Sequence, residues 1–425
     1  MILTLLGSAT LLAIIGVPLG VALGLSALIA LTLFLPNIPT EIVAQRMMSS
    51  VDKFPLVAVP LFILAGELMN FGGITTRLIA LSKALVGWIK GGLGLVNVAT
   101  SVFFAGISGS ATADAAGIGR VLIPAMKKEG YDGDFAVAVT AASSTIGPIL
   151  PPSIVMVIYA AMTNLSIGKL FLAGVVPGLL MGAVLMALVL VYATIRNYPR
   201  DAWVGFPGLG RAILNAIGPL GAPGIILFGV VGGYFGATEA GAIVVAYSIV
   251  LGFFYRELSW ARIVTACQRT ALNVGVILFA MTAASIVGWT LAMGRVPQQL
   301  ALLITYYGDS QAMVLLAVIA VLLVMGLFLD GLAAMVIMVP VFIPITSALG
   351  IDPIHFAMIV ILCIMVGAVT PPVGILLLVS CQVGDVPYRQ AVRTIWPFVG
   401  AMLSVVFLVA FFPALSTWLP EVMFR

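Results

Sequence analysis

Charge is what this chain has least of. Asp, Glu, Lys and Arg together make up 8% of its 425 residues, against about a quarter in soluble domains, so water is not its main solvent. Histidine occurs once, at His355. With no nucleophile or metal constellation elsewhere, the chain is not expected to be an enzyme, and an intramembrane hydrolase or transferase lacks its chemistry. Cys267, Cys363 and Cys381 lie in or beside apolar segments without Cys-x-x-Cys spacing, which leaves neither a disulfide framework nor a zinc site. The formal charge of +4 is spread over loops, so there is no basic run of the kind that binds nucleic acid. Long polar segments are missing too, and no soluble domain fits between the apolar ones.

What is present is apolar sequence, 62% of the residues, in stretches that recur along the chain and match the roughly 20 residues a helix needs to cross a bilayer. Backbone amides in hydrocarbon must be satisfied internally, and the runs are too continuously apolar for an outer-membrane barrel. The fold class is therefore an all-α polytopic membrane protein. The first run, Met1 to Pro36, lacks a basic flank and is too long for a signal peptide, so it reads as one retained helix. Pro39 to Lys53 is a short amphipathic piece expected along the interface. Plain spans follow at Phe54 to Asn70, Thr75 to Ile89, Gly168 to Arg196, Ile213 to Phe235, Glu239 to Tyr255 and Leu272 to Met293.

Two regions are not plain. Gly91 to Lys128 holds GISGSATADAAGIG at its centre, and the next span, Phe135 to Met162, is interrupted by STIGPILPPS. Proline lacks the amide hydrogen and clashes with the preceding turn, so this span must break. The same pair returns about 220 residues later: Val314 to Gly350 with the kernel GLFLDG, then Phe356 to Val383 broken at VGAVTPPVG. Aligning Pro151-Pro152 with Pro371-Pro372 sets Gly147 opposite Gly367 and Ser110 opposite Asp330. Each unit is a re-entrant hairpin followed by a broken helix, and paired interruptions of this kind point to a transporter's binding site. The first hairpin ends at Lys127-Lys128 and the second, at Asp352 and His355, without Lys or Arg. By the positive-inside rule they open to opposite faces, as inverted repeats require, and both termini fall outside. The chain divides into flanking helices with an interfacial helix (1–90), the first repeat (91–167), connecting helices (168–310), the second repeat (311–387) and a C-terminal helix (388–425).

Unwound backbone at membrane depth survives only where protein or a water-filled cavity receives its carbonyls. Such carbonyls, with one or two hydroxyls, suit a small monovalent cation such as sodium. The first set is Ser108 with the carbonyls of Ala105, Gly147, Leu150 and Pro152; the second is Thr370 with those of Gly326, Gly367 and Val373. The bland alternative is that Gly and Pro merely kink packed helices. Charges inside the membrane are the second signal, because each is costly unless paired or wetted. Asp114 and Asp330 lie near the hairpin tips, fit either to bind a cation or proton or to cap a helix. Glu239 serves transport or caps a helix start; Arg295 attracts an anionic substrate or snorkels at a helix end. Hydroxyls at Ser108, Ser110, Thr112, Ser143, Ser144, Thr145 and Ser153 suit a carboxylated or polyoxygenated solute, or ordinary helix packing.

GISGSATADAAGIG, STIGPILPPS, the Thr238-Glu239-Ala240 element and VGAVTPPVG, in this order, resemble the large membrane (M) subunit of tripartite ATP-independent periplasmic (TRAP) transporters across essentially the whole chain. The resemblance implies an elevator-type transporter in the bacterial inner membrane, driven by co-transported sodium, with no organic cofactor. It implies two partners: a small four-helix membrane (Q) subunit, and a periplasmic substrate-binding (P) protein that delivers an organic acid. Its sodium ligands fall on the two sets above, and its other functional residues on Ser110, Asp114, Ser153, Glu239, Arg295 and Asp330. Position 105 is Ala where many relatives are expected to have Ser, which spares a carbonyl ligand but not a hydroxyl. C4-dicarboxylates, keto acids and sialic acids all fit. The rival expectation is a sodium-coupled carboxylate symporter that works without a binding protein; a channel fits paired ion sites less well.

Overall fold

Glycine and proline decide where this chain's helices stop. A computed structural model describes residues 1–295, 311–328 and 331–424, and these are helices with short connections, without strands. The run from Met1 to Pro36 is two helices rather than one: α1 (Ile2–Ile14) and α2 (Leu19–Phe34). Gly16 takes the left-handed conformation (φ 88°), the Val17 N–H closes back on the Leu12 carbonyl at 3.0 Å, and Pro18 cannot continue the ladder. The two helices pack on each other.

After the interfacial α3 (Glu41–Val51) come α4 (Ala58–Phe71) and α5 (Ile74–Val86). Between the repeats run α10 (Ile167–Ile195), α11 (Gly205–Val231), α12 (Ala237–Phe254) and α13 (Trp260–Met293). Helices α11 and α13 begin well before the expected Ile213 and Leu272. Ser259 caps α13 by accepting the Arg262 N–H, and the added turns carry Arg211 or Arg262 and Arg269, polar residues that a search for apolar runs passes over. Met1 lies against Gly294 at the end of α13, while Gly20 meets Phe279 near its middle, so the α1–α2 pair dips in from that end.

The first repeat is the hairpin α6 (Gly92–Ser108) and α7 (Ala111–Lys128), then the broken helix α8 (Gly133–Ser144) and α9 (Ile154–Thr163). The second is α14 (Gln311–Phe328) and α15 (Gly331–Ala348), then α16 (Pro353–Val369) and α17 (Ile375–Gly384). Both Pro-Pro bonds are cis. The first half of each broken helix is enclosed on every side, α8 from Phe135 and α16 from His355; α8 buries the hydroxyls of Thr140, Ser143 and Ser144 in hydrogen bonds. The second arm of each hairpin packs on the second half of the other repeat's broken helix, α7 on α17 and α15 on α9. The C-terminal segment is also two helices rather than one, α18 (Tyr388–Phe411) and α19 (Ala414–Met423), divided at Phe412-Pro413.

The repeats run in opposite directions. At one face Arg196 pairs with Asp132 at 2.8 Å, Lys83 with Asp201 at 3.1 Å, and Lys127 Nζ donates to the Gly384 carbonyl at 3.2 Å. Tyr131 joins this face with its hydroxyl kept protonated, burial pushing its pKa up to about 12, and donates to the Pro199 carbonyl. This is the basic face; α8 enters from it and α17 returns to it. At the opposite face Lys169, Asp352, Thr417 and Glu421 surround one hollow, where α9 ends and α16 begins.

Candidate functional site

The tip of the first hairpin is pressed into the first break. Gly109 is left-handed (φ 58°), and a Cβ there would lie 2.6 Å from the Pro152 carbonyl oxygen. Only glycine permits both the conformation and the approach. Around this junction lie Ser108, Gly147 and Pro152 of the predicted first set, brought together by Asp114 and Gly109. Ala105 and Ser108 occupy the last turn of α6, whose final carbonyls have no partner within the helix. The carbonyls of Gly147, Leu150 and Pro152 are buried, and among the described residues they accept no hydrogen bond. Asp114 is fully buried. Ser108 Oγ donates to its Oδ1, while Oδ2 is shut off from solvent and accepts nothing. That oxygen faces Gly147 so closely that a Cβ on Gly147 would collide with it. Buried polar groups are ordinarily satisfied, so a knot of unpartnered oxygens with a carboxylate fits a small hard cation.

Asp114 does not cap its helix. Ser110 does, its hydroxyl accepting the Ala113 N–H at 3.4 Å, and the Ser110 N–H donates to Ser108 Oγ at 3.2 Å. The predicted second set is less complete. Gly326 and Gly367 touch backbone to backbone, a Cβ on Gly367 lying 2.6 Å from Gly326 Cα. Thr370 is buried beside them and donates to the Val366 carbonyl at 2.6 Å. The Val373 carbonyl already accepts from the Tyr388 hydroxyl at 2.8 Å, a partner that sequence reasoning missed. Asp330 lies outside the described residues.

Beside the first set opens a cavity of about 350 Å³. Its wall includes the first residues of four helices: Ala111 to Ala113 of α7, Ile154 and Val155 of α9, Gly331 and Leu332 of α15, Ile375 and Leu376 of α17. Each helix start carries partial positive charge, together a ready site for an anion. Ser110 and Thr112 add hydroxyls to this wall. The facing wall comes from α4 and α13 and presents Glu67, Asn70 and Asn273. None of these three was picked out from sequence, because a single polar residue in an apolar helix forms no motif. The available signal was a carboxylate within a span, Glu67, with Asn70 one turn on.

Of the predicted substrate and coupling residues, Ser110 is on the cavity wall and Asp114 sits behind it with the ion set, while Ser153, Glu239 and Arg295 serve elsewhere. Ser153 caps α9, accepting the Met156 N–H at 3.2 Å and donating to the Pro148 carbonyl at 2.5 Å, so it fixes the break. Glu239 is exposed and accepts the Gly236 N–H at 2.8 Å, the half of a capping box that a glycine N-cap allows. Arg295 is exposed beyond the end of α13. The hydroxyls of the first break serve packing: Ser143 bonds to Asn97 and Ser101 of α6, and Ser144 and Thr145 bond to carbonyls of their own helix.

Six helices among the described residues are long and apolar enough to cross a membrane. With two inverted repeats whose breaks meet at a central cavity, the fold and site define a multi-pass secondary transporter. The family model of the tripartite ATP-independent periplasmic transporter, DctM component, matches residues 6–415, and the chain belongs to that family. It is 38% identical over 411 residues to the sialic acid TRAP transporter large permease protein of Vibrio cholerae, covering 96% of this chain and 95% of the relative. It is 35% identical over 432 residues to the C4-dicarboxylate TRAP transporter large permease protein of the same organism, covering 96% and 95%. Among solved structures it is similar in fold to the YdaH transporter of Alcanivorax borkumensis, with a TM-score of 0.57 and 17% identity over 88% of this chain and 87% of that one.

Proposed function

We propose that the chain performs sodium-driven uptake of a small organic anion across the bacterial inner membrane. A periplasmic binding protein delivers the anion, and a small four-helix membrane subunit stands beside the permease. One observation carries this reading: four helix starts meet at a single cavity, immediately beside buried oxygens that lack partners. The helix starts attract the acid group, and the oxygens take sodium. The two are one residue apart, because the Ser110 N–H donates to the Ser108 hydroxyl that belongs to the cation set. Sodium at Ser108 and Asp114 fixes the α7 start, so the anion is held better when the ion is present; by linkage the ion is then held better with the anion. The second set, around Gly326, Gly367 and Thr370, is the equivalent site in the other repeat.

The basic face is cytoplasmic by the positive-inside rule. Met1 and α19 then lie on the periplasmic side, and the repeats move as a transport domain past a scaffold that includes α4 and α13. The relatives named for sialic acid and for C4-dicarboxylates are about equally similar, so identity does not select the acid. Helix starts recognise the charge that such acids share. The test is uptake of labelled N-acetylneuraminate, succinate and pyruvate into proteoliposomes that hold the chain with its small subunit. Uptake requiring both sodium and binding protein supports the reading; uptake without binding protein supports a stand-alone symporter.

A further inference from the structure

The cavity holds an anion in the reading above, yet among the described residues no Lys or Arg is part of its wall. One cation stands beside a wall residue. On α4 the residues facing the cavity are Ile63, Gly66, Glu67 and Asn70, and on α13 they are Asn273, Val276 and Ile277. One turn before Asn273 on α13 comes Arg269. Its Nη1 lies 3.7 Å from Glu67 Oε2, too far for a hydrogen bond. Its guanidinium rests over the Phe71 ring, 5.2 Å from the centroid. Among the described residues Arg269 donates no hydrogen bond, and Glu67 Oε2, closed off from solvent, accepts none. The Arg269 side chain is 55% exposed, so its guanidinium is positioned beside Glu67 yet open to another partner.

Position gives it a use. Helix α4 runs toward the basic face from the turn that follows Lys53, and Lys53 reaches the Ala161 carbonyl near the end of α9. Glu67 and Phe71 therefore stand where the cavity meets that face. From the reading of this chain as an organic-anion transporter, we infer that Arg269 is a second anion-binding residue on the exit side. It takes the acid group from the helix starts of the repeats in exchange for Glu67. A free carboxylate accepts from the guanidinium fork in bidentate fashion, which the half-buried Glu67 does not. Once the acid leaves, Glu67 returns to Arg269 and lowers its hold on the anion behind it. The exchange sets both affinity and release.

The experiment uses the chain with its small subunit. Equilibrium binding of N-acetylneuraminate and of succinate in sodium buffer is measured alongside uptake in proteoliposomes with binding protein. Arg269→Gln is expected to weaken binding by about tenfold, the loss of one charge-assisted pair. Glu67→Gln is expected to tighten binding while slowing uptake. Arg269→Lys keeps the charge without the fork and is expected to recover only part of that loss. Binding of both acids by Arg269→Gln at the parent level would make the pair a structural tie and overturn the inference. Binding and uptake both unaltered by Glu67→Gln, in protein that elutes as a single species, would overturn it as well. A parent protein that takes up neither acid, with sodium and binding protein present, would overturn the transport reading and this inference together.

Discussion

At the scale of single residues, the site turns on oxygens that have no partner. A carboxylate at membrane depth costs several kcal/mol unless something compensates it, and Asp114 has one hydroxyl to do so. Asp114→Asn keeps the shape and removes the charge; the expected result is loss of sodium-dependent uptake with normal membrane insertion, read by transport and by size-exclusion profile. Gly147→Ala drives a methyl into that carboxylate and is expected to abolish uptake and lower thermal stability. Ser153→Ala acts differently. It removes a cap worth about 1 kcal/mol, so stability measurements should register it before substrate affinity does. The parts were legible: GISGSATADAAGIG and STIGPILPPS marked Ser108, Ser110 and Asp114 at one tip and the carbonyls of Gly147, Leu150 and Pro152 at one break. Which oxygens lack partners was not legible, because that depends on how the tip of the hairpin meets the break.

At the scale of elements, broken helices hold their shape because each half ends against something specific. The tip of the first hairpin comes this close to the first break because position 109 is glycine. Gly109→Ala, strained in conformation and crowded by Pro152, is expected to separate tip from break and eliminate sodium-dependent uptake, while circular dichroism reports unchanged helix content. At the basic face Arg196 ties the end of α10 to Asp132 at the entry to α8. Both side chains are partly exposed, so a double-mutant cycle on the pair is expected to give about 1 kcal/mol or less. Sequence marked the broken elements well, since Pro-Pro and clustered Gly are strong punctuation. It marked the ends of the chain poorly. Gly16-Val17-Pro18 and Phe412-Pro413 lie in stretches so apolar that one helix seemed to continue through each, and only packing of the resulting halves shows the division. Nothing in the sequence of the predicted second set marked Tyr388, whose hydroxyl reaches back 15 residues to the Val373 carbonyl.

At the scale of the molecule, the account has two inverted repeats that carry ion and anion together past α4 and α13. One contact across that boundary is the Lys53 Nζ to Ala161 carbonyl bond at 2.6 Å. A flexible bismaleimide joining Lys53→Cys to Ala161→Cys, in a background without the native cysteines, is expected to arrest uptake if the repeats move relative to α4, and reduction of a cleavable linker should restore it. The membrane architecture and the repeat were readable from hydropathy and proline placement. The wall formed by Glu67, Asn70 and Asn273 was not, because it arises where α4 and α13, distant in sequence, face the repeats. The most direct test of the account is the sodium dependence of uptake at the first ion set. Proteoliposomes with the permease, its small subunit and the binding protein are given an inward sodium gradient or an equal potassium gradient, with Asp114→Asn alongside. The account predicts accumulation of labelled organic acid with sodium only, and none in the variant. Equal accumulation under potassium, or sodium-driven accumulation undiminished in Asp114→Asn, would contradict it.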